Sequence, residues 1–181
     1  MSHMGHSVSG LRYYPEPWDG RSNDFSVDQH ASDVVAFIGK LNIGKVHLLG
    51  HSRGGDVVLR VANQRADLIK TLILEDASGF DKLLSESPDS LSLSGARDIL
   101  ARNLATGNRE LAAQEYFTTT QGPGTWAKRS AEEKQLFFDN VGTVMTPEER
   151  KSVTTCDQIA KYDFPILLLT AERSPKRYGQ A

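Results

Sequence analysis

The sequence contains a single cysteine, Cys156, among 181 residues. One cysteine can form neither an intramolecular disulfide nor a cysteine metal cluster, and it fits a reducing compartment, so we expect a cytoplasmic protein without a bound metal. No apolar run is long enough to span a membrane, and the N-terminal residues lack the apolar stretch of a signal peptide. The net charge is -2 and no basic stripe is present, so neither a membrane nor nucleic acid is an expected partner.

Three short apolar runs predict buried strands, at residues 45–50, 69–76 and 164–172. A further short strand is expected at 6–14. Apolar residues recur at helical spacing before and after the 45–50 strand, and Ser26 is a candidate cap for the earlier helix. Strands and helices that alternate with short links predict an α/β fold with a parallel sheet and helices on both of its faces.

Residues 80–155 consist mostly of helical patterns with polar breaks. This segment is too long for a simple crossover between neighbouring strands, so we interpret it as a helical cap inserted into the α/β core. The core then comprises residues 5–79 and 156–181. The first four residues, "MSHM", read as a cloning remnant, and residues 1–4 are left out of the fold.

The pattern G-x-S-x-G follows the 45–50 strand directly, with Ser52 at its centre. Between a strand and a helix, this pattern is typical of a nucleophile elbow, in which a tight turn presents the serine oxygen at the sheet edge. Gly50 and Gly54, two residues before and after the serine, are predicted to avoid clashes in the turn, and Gly55 adds room. The helix start also favours a developing oxyanion, for which the backbone N–H of Arg53 is the predicted donor.

The stretch "VHLLGHSRGGDVVLRVA…LIKTLILED" resembles the α/β-hydrolase superfamily, and the resemblance extends over nearly the whole chain. It implies a partial α/β-hydrolase fold with a helical cap, and a late strand at "FPILLLTAERSP". Members of the superfamily are mostly esterases, lipases and hydrolases of C–C or C–halogen bonds. The resemblance therefore implies a serine esterase-like enzyme that needs no cofactor and acts on a small-molecule ester.

The position of the catalytic acid departs from the usual family pattern. The late strand of the family usually ends in G-E-x-D-P, whose Asp orients the catalytic His, but Ser174 stands there in this sequence. A serine cannot stabilise an imidazolium as a carboxylate does. Certain haloalkane dehalogenases place the acid after the strand that follows the elbow helix, which implies Asp76 here. Glu75, one residue away, and Glu172, on the late strand, are the alternatives.

The sequence offers no catalytic base in the position that the family uses. Its chain order is Ser, acid, His, whereas all five histidines here precede Ser52. Family members continue beyond the late strand into a His-bearing loop, and they carry a central strand between those at 6–14 and 45–50. The resemblance therefore implies a chain truncated at both ends, with little or no turnover. The unpaired sheet edges that result make a homodimer plausible.

Two further residues are candidate substrate-binding groups. His51 neighbours the predicted nucleophile, although alternation along the elbow should turn its side chain away. Trp126 could line a pocket under the cap, or it could equally be a core residue of the insertion. The Arg53 side chain is expected to pair with a nearby acid.

Two classes of function remain open from the sequence. The first is a serine hydrolase, favoured by the intact elbow. The second is a non-catalytic α/β-hydrolase-like module that acts by binding or assembly, favoured by the missing histidine. A phosphate-binding loop is disfavoured, because the glycines lack the spacing of dinucleotide-binding and P-loop motifs.

Overall fold

A computed structural model describes residues 26–78, 98–144 and 154–172 of the chain. These residues divide into two compact units. Unit 1 comprises 26–78 and 154–172, and unit 2 comprises 98–144. The strand predicted at 6–14 and the predicted start of the cap at residue 80 lie outside the described residues, so the domain boundaries stay a prediction.

A three-stranded parallel sheet organises unit 1. Strand β1 runs over Val46–His51, β2 over Ile69–Glu75 and β3 over Ile166–Leu169, in the order β1-β2-β3. The three predicted strands and their parallel arrangement are thereby confirmed. The predicted burial is wrong for β3, where Leu167, Leu168 and Leu169 are 52%, 50% and 40% exposed. The apolar runs carry many branched side chains, which pack well on a pleated sheet.

Two amphipathic helices belong to the same unit. Helix α1 spans Val27–Leu41, and α2 spans Arg53–Arg65. The Ser26 side chain accepts a 3.2 Å hydrogen bond from the backbone N–H of Gln29, which confirms the predicted cap. Both helices bury one stripe in a single core with one face of the sheet, and this core contains Ala31, Val34, Ile38, Val58, Leu59, Val61, Ala62, Leu72, Leu74 and Phe164.

The second face of the sheet remains exposed. Leu49, Ile73 and Leu167 occupy one cross-strand row on this face, because Leu49 pairs with Ile73 and Ile73 with Leu167. Leu49 is 54% exposed and Leu167 is 52% exposed. Branched apolar side chains in such a row normally face a core, so this face is an apolar surface of unit 1.

A short polar network attaches the segment before β3 to α2. The hydroxyl of Tyr162 donates to Asn63 Oδ1 at 2.6 Å, and Asn63 Nδ2 donates to the buried Thr154 Oγ1 at 2.9 Å. Burial raises the pKa of the Tyr162 phenol, because the charged form loses hydration. A short helix, Cys156–Ile159, begins beside this network with a capping box between Thr155 and Gln158.

Unit 2 is helical. A helical segment at 98–105 is followed by α3, Arg109–Gln121, and α4, Ala131–Val144. The break between the first two lies at Gly107, whose φ of 77° is in the left-handed region that favours glycine. Asn108 then caps α3 by accepting a hydrogen bond from the Leu111 N–H. No helix among the residues described in either unit is both long and apolar enough to cross a bilayer.

Candidate active site

Ser52 occupies the turn between β1 and α2. His51 is the last residue of β1, and Arg53 is the first residue of α2. The backbone of Ser52 has φ 50° and ψ -123°, a combination that non-glycine residues rarely adopt. Holding a residue there costs on the order of 1–3 kcal/mol, and such strain occurs mainly where function requires a particular side-chain direction.

Of the glycines around Ser52, Gly50 has the predicted role and Gly54 does not. A Cβ on Gly50 would lie 2.5 Å from the Gly54 carbonyl oxygen and 2.5 Å from Val58 Cγ2, so this position needs glycine. A Cβ on Gly54, in contrast, would meet nothing within 4 Å. A Cβ on Gly55 would collide with Ala77, approaching its Cα to 2.9 Å. The second essential glycine is therefore Gly55, and the prediction for Gly54 was wrong, because the chain after β2 crowds Gly55 and leaves the space beside Gly54 open.

The backbone of Ser52 is hydrogen-bonded on both sides to the end of β2. Its N–H donates to the Glu75 carbonyl at 3.1 Å. Its carbonyl accepts from the Gly55 N–H at 2.9 Å, from the Ser78 N–H at 2.9 Å and from the Ser78 hydroxyl at 3.1 Å. Ser78 was not singled out from the sequence, where the only signal is its place just after a strand end.

The three candidate acids differ in position. In the sheet register His51 pairs with Glu75, so Asp76 follows β2 at the level of Ser52. Asp76 has a φ of 41°, its N–H donates to the Leu169 carbonyl at 2.9 Å, and its Oδ1 atom is buried. Glu75 and Glu172 are exposed, Glu75 at the end of β2 and Glu172 after β3. The assignment of Asp76 as the acid stays a prediction.

The described histidines lie at the elbow strand and on α1. His47 is exposed on β1, and its Nδ1 is 2.5 Å from Thr71 Oγ1 on the neighbouring strand. It is thus a histidine on the face of the sheet, where it contacts the neighbouring strand. His51 is exposed beside Ser52, and its role in substrate binding stays a prediction. His30 is half-buried on α1.

Trp126 lies in the aromatic core of unit 2. It is 3% exposed and stacks on Phe117, with the ring centroids 5.1 Å apart. Its indole N–H donates to Glu110 Oε1 at 2.6 Å, and Lys134 lies over its ring at 5.2 Å from the centroid. These contacts favour the core alternative. Its substrate-binding role stays a prediction with no described contact behind it.

Arg53, the predicted oxyanion donor, is the first residue of α2 and lies directly after Ser52. Backbone N–H groups in the first turn of a helix point towards its N-terminal end, where they can bind an anion. Within the parts of the chain that the structure describes, no group of three His, Cys, Asp or Glu side chains could hold a metal ion.

The chain is similar in sequence to a known family and to parts of two curated proteins. The family model described as alpha/beta hydrolase fold matches residues 3–136. N-formylmaleamate deformylase of Pseudomonas putida is 39% identical over 57 residues, which cover 32% of this chain and 21% of that protein. The sn-1-specific diacylglycerol lipase of Danio rerio is 39% identical over 51 residues, which cover 28% of this chain and 16% of that protein.

Among solved structures, the epoxide hydrolase CorEH shares the fold with a TM-score of 0.57 at 17% identity. The match covers 87% of this chain and 62% of that chain. This chain therefore spans less than two thirds of that hydrolase, and its matches cover about a fifth or less of the two curated relatives. Because the family model matches most of the chain, and the sheet is parallel with the strand–elbow–helix order expected from the sequence, the chain belongs to the α/β-hydrolase family.

Proposed function

We propose that this chain carries the nucleophile elbow of a serine hydrolase that acts on small-molecule carboxylic esters. The observation that supports the proposal is the backbone of Ser52, with φ 50° and ψ -123° between a strand and a helix. The glycines at 50 and 55 leave room for this conformation, and a substituent at either would collide with the chain. A structural serine in a loop would not require this strain.

In the proposed reaction, Ser52 Oγ attacks the ester carbonyl carbon and forms a tetrahedral oxyanion. The Arg53 N–H stabilises the oxyanion as one of its donors. Collapse releases the alcohol and leaves an acyl group on Ser52, which water then removes as the carboxylic acid. The curated relatives, by name a deformylase and a lipase, support an acyl group as the target.

The hydroxyl proton of Ser52 must pass to a base and then to the leaving alcohol oxygen. In this family the base is expected to be a histidine that Asp76 would orient, yet no histidine follows Ser52 in the 181 residues. We therefore propose that this polypeptide by itself turns over esters slowly, although its nucleophile is correctly presented.

A fluorophosphonate probe tests whether Ser52 is presented as a nucleophile. Because no histidine follows Ser52 in these residues, we expect slow labelling at Ser52, detected after prolonged incubation, that the variant Ser52→Ala abolishes. Ser32→Ala is the matched control, because Ser32 lies on α1 and its hydroxyl donates to the Asp28 carbonyl, away from the elbow. Peptide mapping that finds no adduct on Ser52 in folded protein would refute the proposal.

The alternative is a non-catalytic module that acts by binding or assembly. The apolar row of Leu49, Ile73 and Leu167 favours it, because Leu49 and Leu167 are exposed and Ile73 is only half-buried. The strand edges of β1 and β3, which lack a neighbouring strand among the described residues, favour it as well. A homodimer through these edges is the expected form. If the protein sediments as a monomer at high concentration and Ser52 is labelled by the probe, the alternative is excluded.

A further inference from the structure

Ser52 is bonded on both sides to one short segment of the chain. Its N–H donates to the Glu75 carbonyl, at the end of β2, and its carbonyl accepts two hydrogen bonds from Ser78, three residues later. Between these two residues, the buried Ala77 lies against Gly55, so closely that a methyl group on Gly55 would not fit. The segment 75–78 therefore contacts the elbow through Glu75, Ala77 and Ser78.

These contacts determine the backbone conformation of Ser52. Its N–H belongs to the peptide plane before the residue, and its carbonyl to the plane after it. Fixing both planes fixes φ and ψ, because these are the only soft backbone dihedrals of the residue. A strained conformation persists only when the surrounding structure over-determines it, and here the restraint comes largely from outside the turn.

Ser78 supplies two of the three donors on the Ser52 carbonyl. The N–H of residue 78 would be present with almost any side chain there, whereas the hydroxyl is particular to Ser or Thr. Without the hydroxyl, the carbonyl keeps two donors but loses the one whose position depends on a side chain. The Ser78 hydroxyl thus restrains the Ser52 carbonyl in a way that the backbone of residue 78 alone does not.

We propose that Ser78 is a positioning residue for the nucleophile, holding the Ser52 carbonyl so that Oγ keeps its direction at the sheet edge. It acts through the backbone of Ser52 and touches no substrate. This inference rests on the proposed function for its consequence in catalysis, but the structural restraint can be measured without any reaction.

The experiment compares three variants of the full chain. Ser78→Ala removes the hydroxyl and keeps the N–H donor, and Ser78→Thr restores a hydroxyl. Ser32→Ala removes a hydroxyl that also donates to a backbone carbonyl, at 2.9 Å, within α1. For each variant, amide hydrogen exchange is followed at Gly55 and at residue 78, and at Leu72 and Leu74 in the middle of β2.

In Ser78→Ala we expect protection from hydrogen exchange at Gly55 and residue 78 to fall by about fivefold, which corresponds to the usual net contribution of one hydrogen bond to stability. Protection at Leu72 and Leu74 should stay as in the unmodified chain. Ser78→Thr should restore protection at the elbow, and Ser32→Ala should not affect it. Unchanged protection at Gly55 in Ser78→Ala, or an equal loss at β2, would overturn the proposal.

Labelling with the fluorophosphonate probe separates this inference from the proposed function. If Ser52 is labelled in the unmodified chain, Ser78→Ala should slow labelling by at least the same fivefold factor, with Ser78→Thr within about twofold of the original rate. Labelling that is equally fast in Ser78→Ala would refute a positioning role. If the unmodified chain is not labelled, the proposed function fails, and the exchange data alone decide the role of Ser78.

Discussion

Adding one methyl group to either of two neighbouring glycines, Gly54 and Gly55, should change the stability of unit 1 in opposite directions. Both residues lie in the first turn of α2, and neither has a positive φ. In a helix, alanine is favoured over glycine, because glycine loses more backbone entropy on folding. The difference between the two sites therefore comes from their surroundings alone.

At Gly54 the added Cβ meets no atom within 4 Å, so Gly54→Ala should stabilise the fold by about 0.5–1 kcal/mol. At Gly55 the Cβ meets Ala77 Cβ and Cα and comes within 3.2 Å of the Ser78 carbonyl oxygen. Most of these atoms are backbone or directly attached to it, so no side-chain rotation relieves the clash. Overpacking of this kind costs about 1–3 kcal/mol, and its middle value of about 2 kcal/mol leaves a net loss of about 1 kcal/mol after the helical gain.

The assay is urea unfolding followed by far-ultraviolet circular dichroism, with hydrogen exchange at Leu72 and Leu74 to report on unit 1 separately. The separate report is needed because two compact units can unfold in two steps. The two variants should differ by about 2 kcal/mol, or roughly thirtyfold in the unfolding equilibrium constant. If the Gly55→Ala variant proves at least as stable as the Gly54→Ala variant, the close approach of the 75–78 segment to the elbow is refuted.

Three further outcomes are expected. Ser52→Gly should raise the unfolding free energy by about 1 kcal/mol relative to Ser52→Ala in urea unfolding, because only glycine adopts the elbow conformation without strain. Trp126→Phe should cost about 2 kcal/mol of unfolding free energy by removing the indole donor to Glu110, while Glu110→Gln, which keeps an acceptor oxygen, should cost less. The pKa of Tyr162 is raised by burial, so the stability that depends on its neutral form is fully present below pH about 10 and is lost as pH rises through the higher folded pKa. The absorbance change at 295 nm that Tyr162→Phe removes should have its midpoint above pH 10, and a midpoint at or below 10 would contradict the burial effect.

The sequence was sufficient to predict the regular elements of unit 1. The cap at Ser26, the strands β1, β2 and β3 and the helix after the elbow follow from local patterns of apolar and capping residues. Such patterns reflect the chain's own periodicity, and a tertiary contact rarely overrides them when they are strong. The parallel sheet followed from the alternation of strands and helices.

Contacts between distant segments could not be predicted in the same way. The motif G-x-S-x-G indicated that Gly54 must be glycine. The residue that must be glycine is Gly55, because Ala77, more than twenty residues later in the sequence, occupies the space beside it. Ser78 has no motif of its own, and its bonds to Ser52 depend on the register between β1 and β2. For Trp126 the sequence left a core and a pocket position equally open, because an indole suits both.

The register of the sheet has a consequence for the order of folding. Leu48 and Leu72, which pair across β1 and β2, are about 24 residues apart in sequence, whereas Leu72 and Ile166, which pair across β2 and β3, are about 94 apart. Closing the longer loop costs about 1 kcal/mol more in chain entropy. Unit 2 lies inside that loop, so its own folding shortens the free chain that must be closed. We therefore expect the elbow with β1 and β2 to form early, and β3, which holds the Asp76 backbone, to dock last.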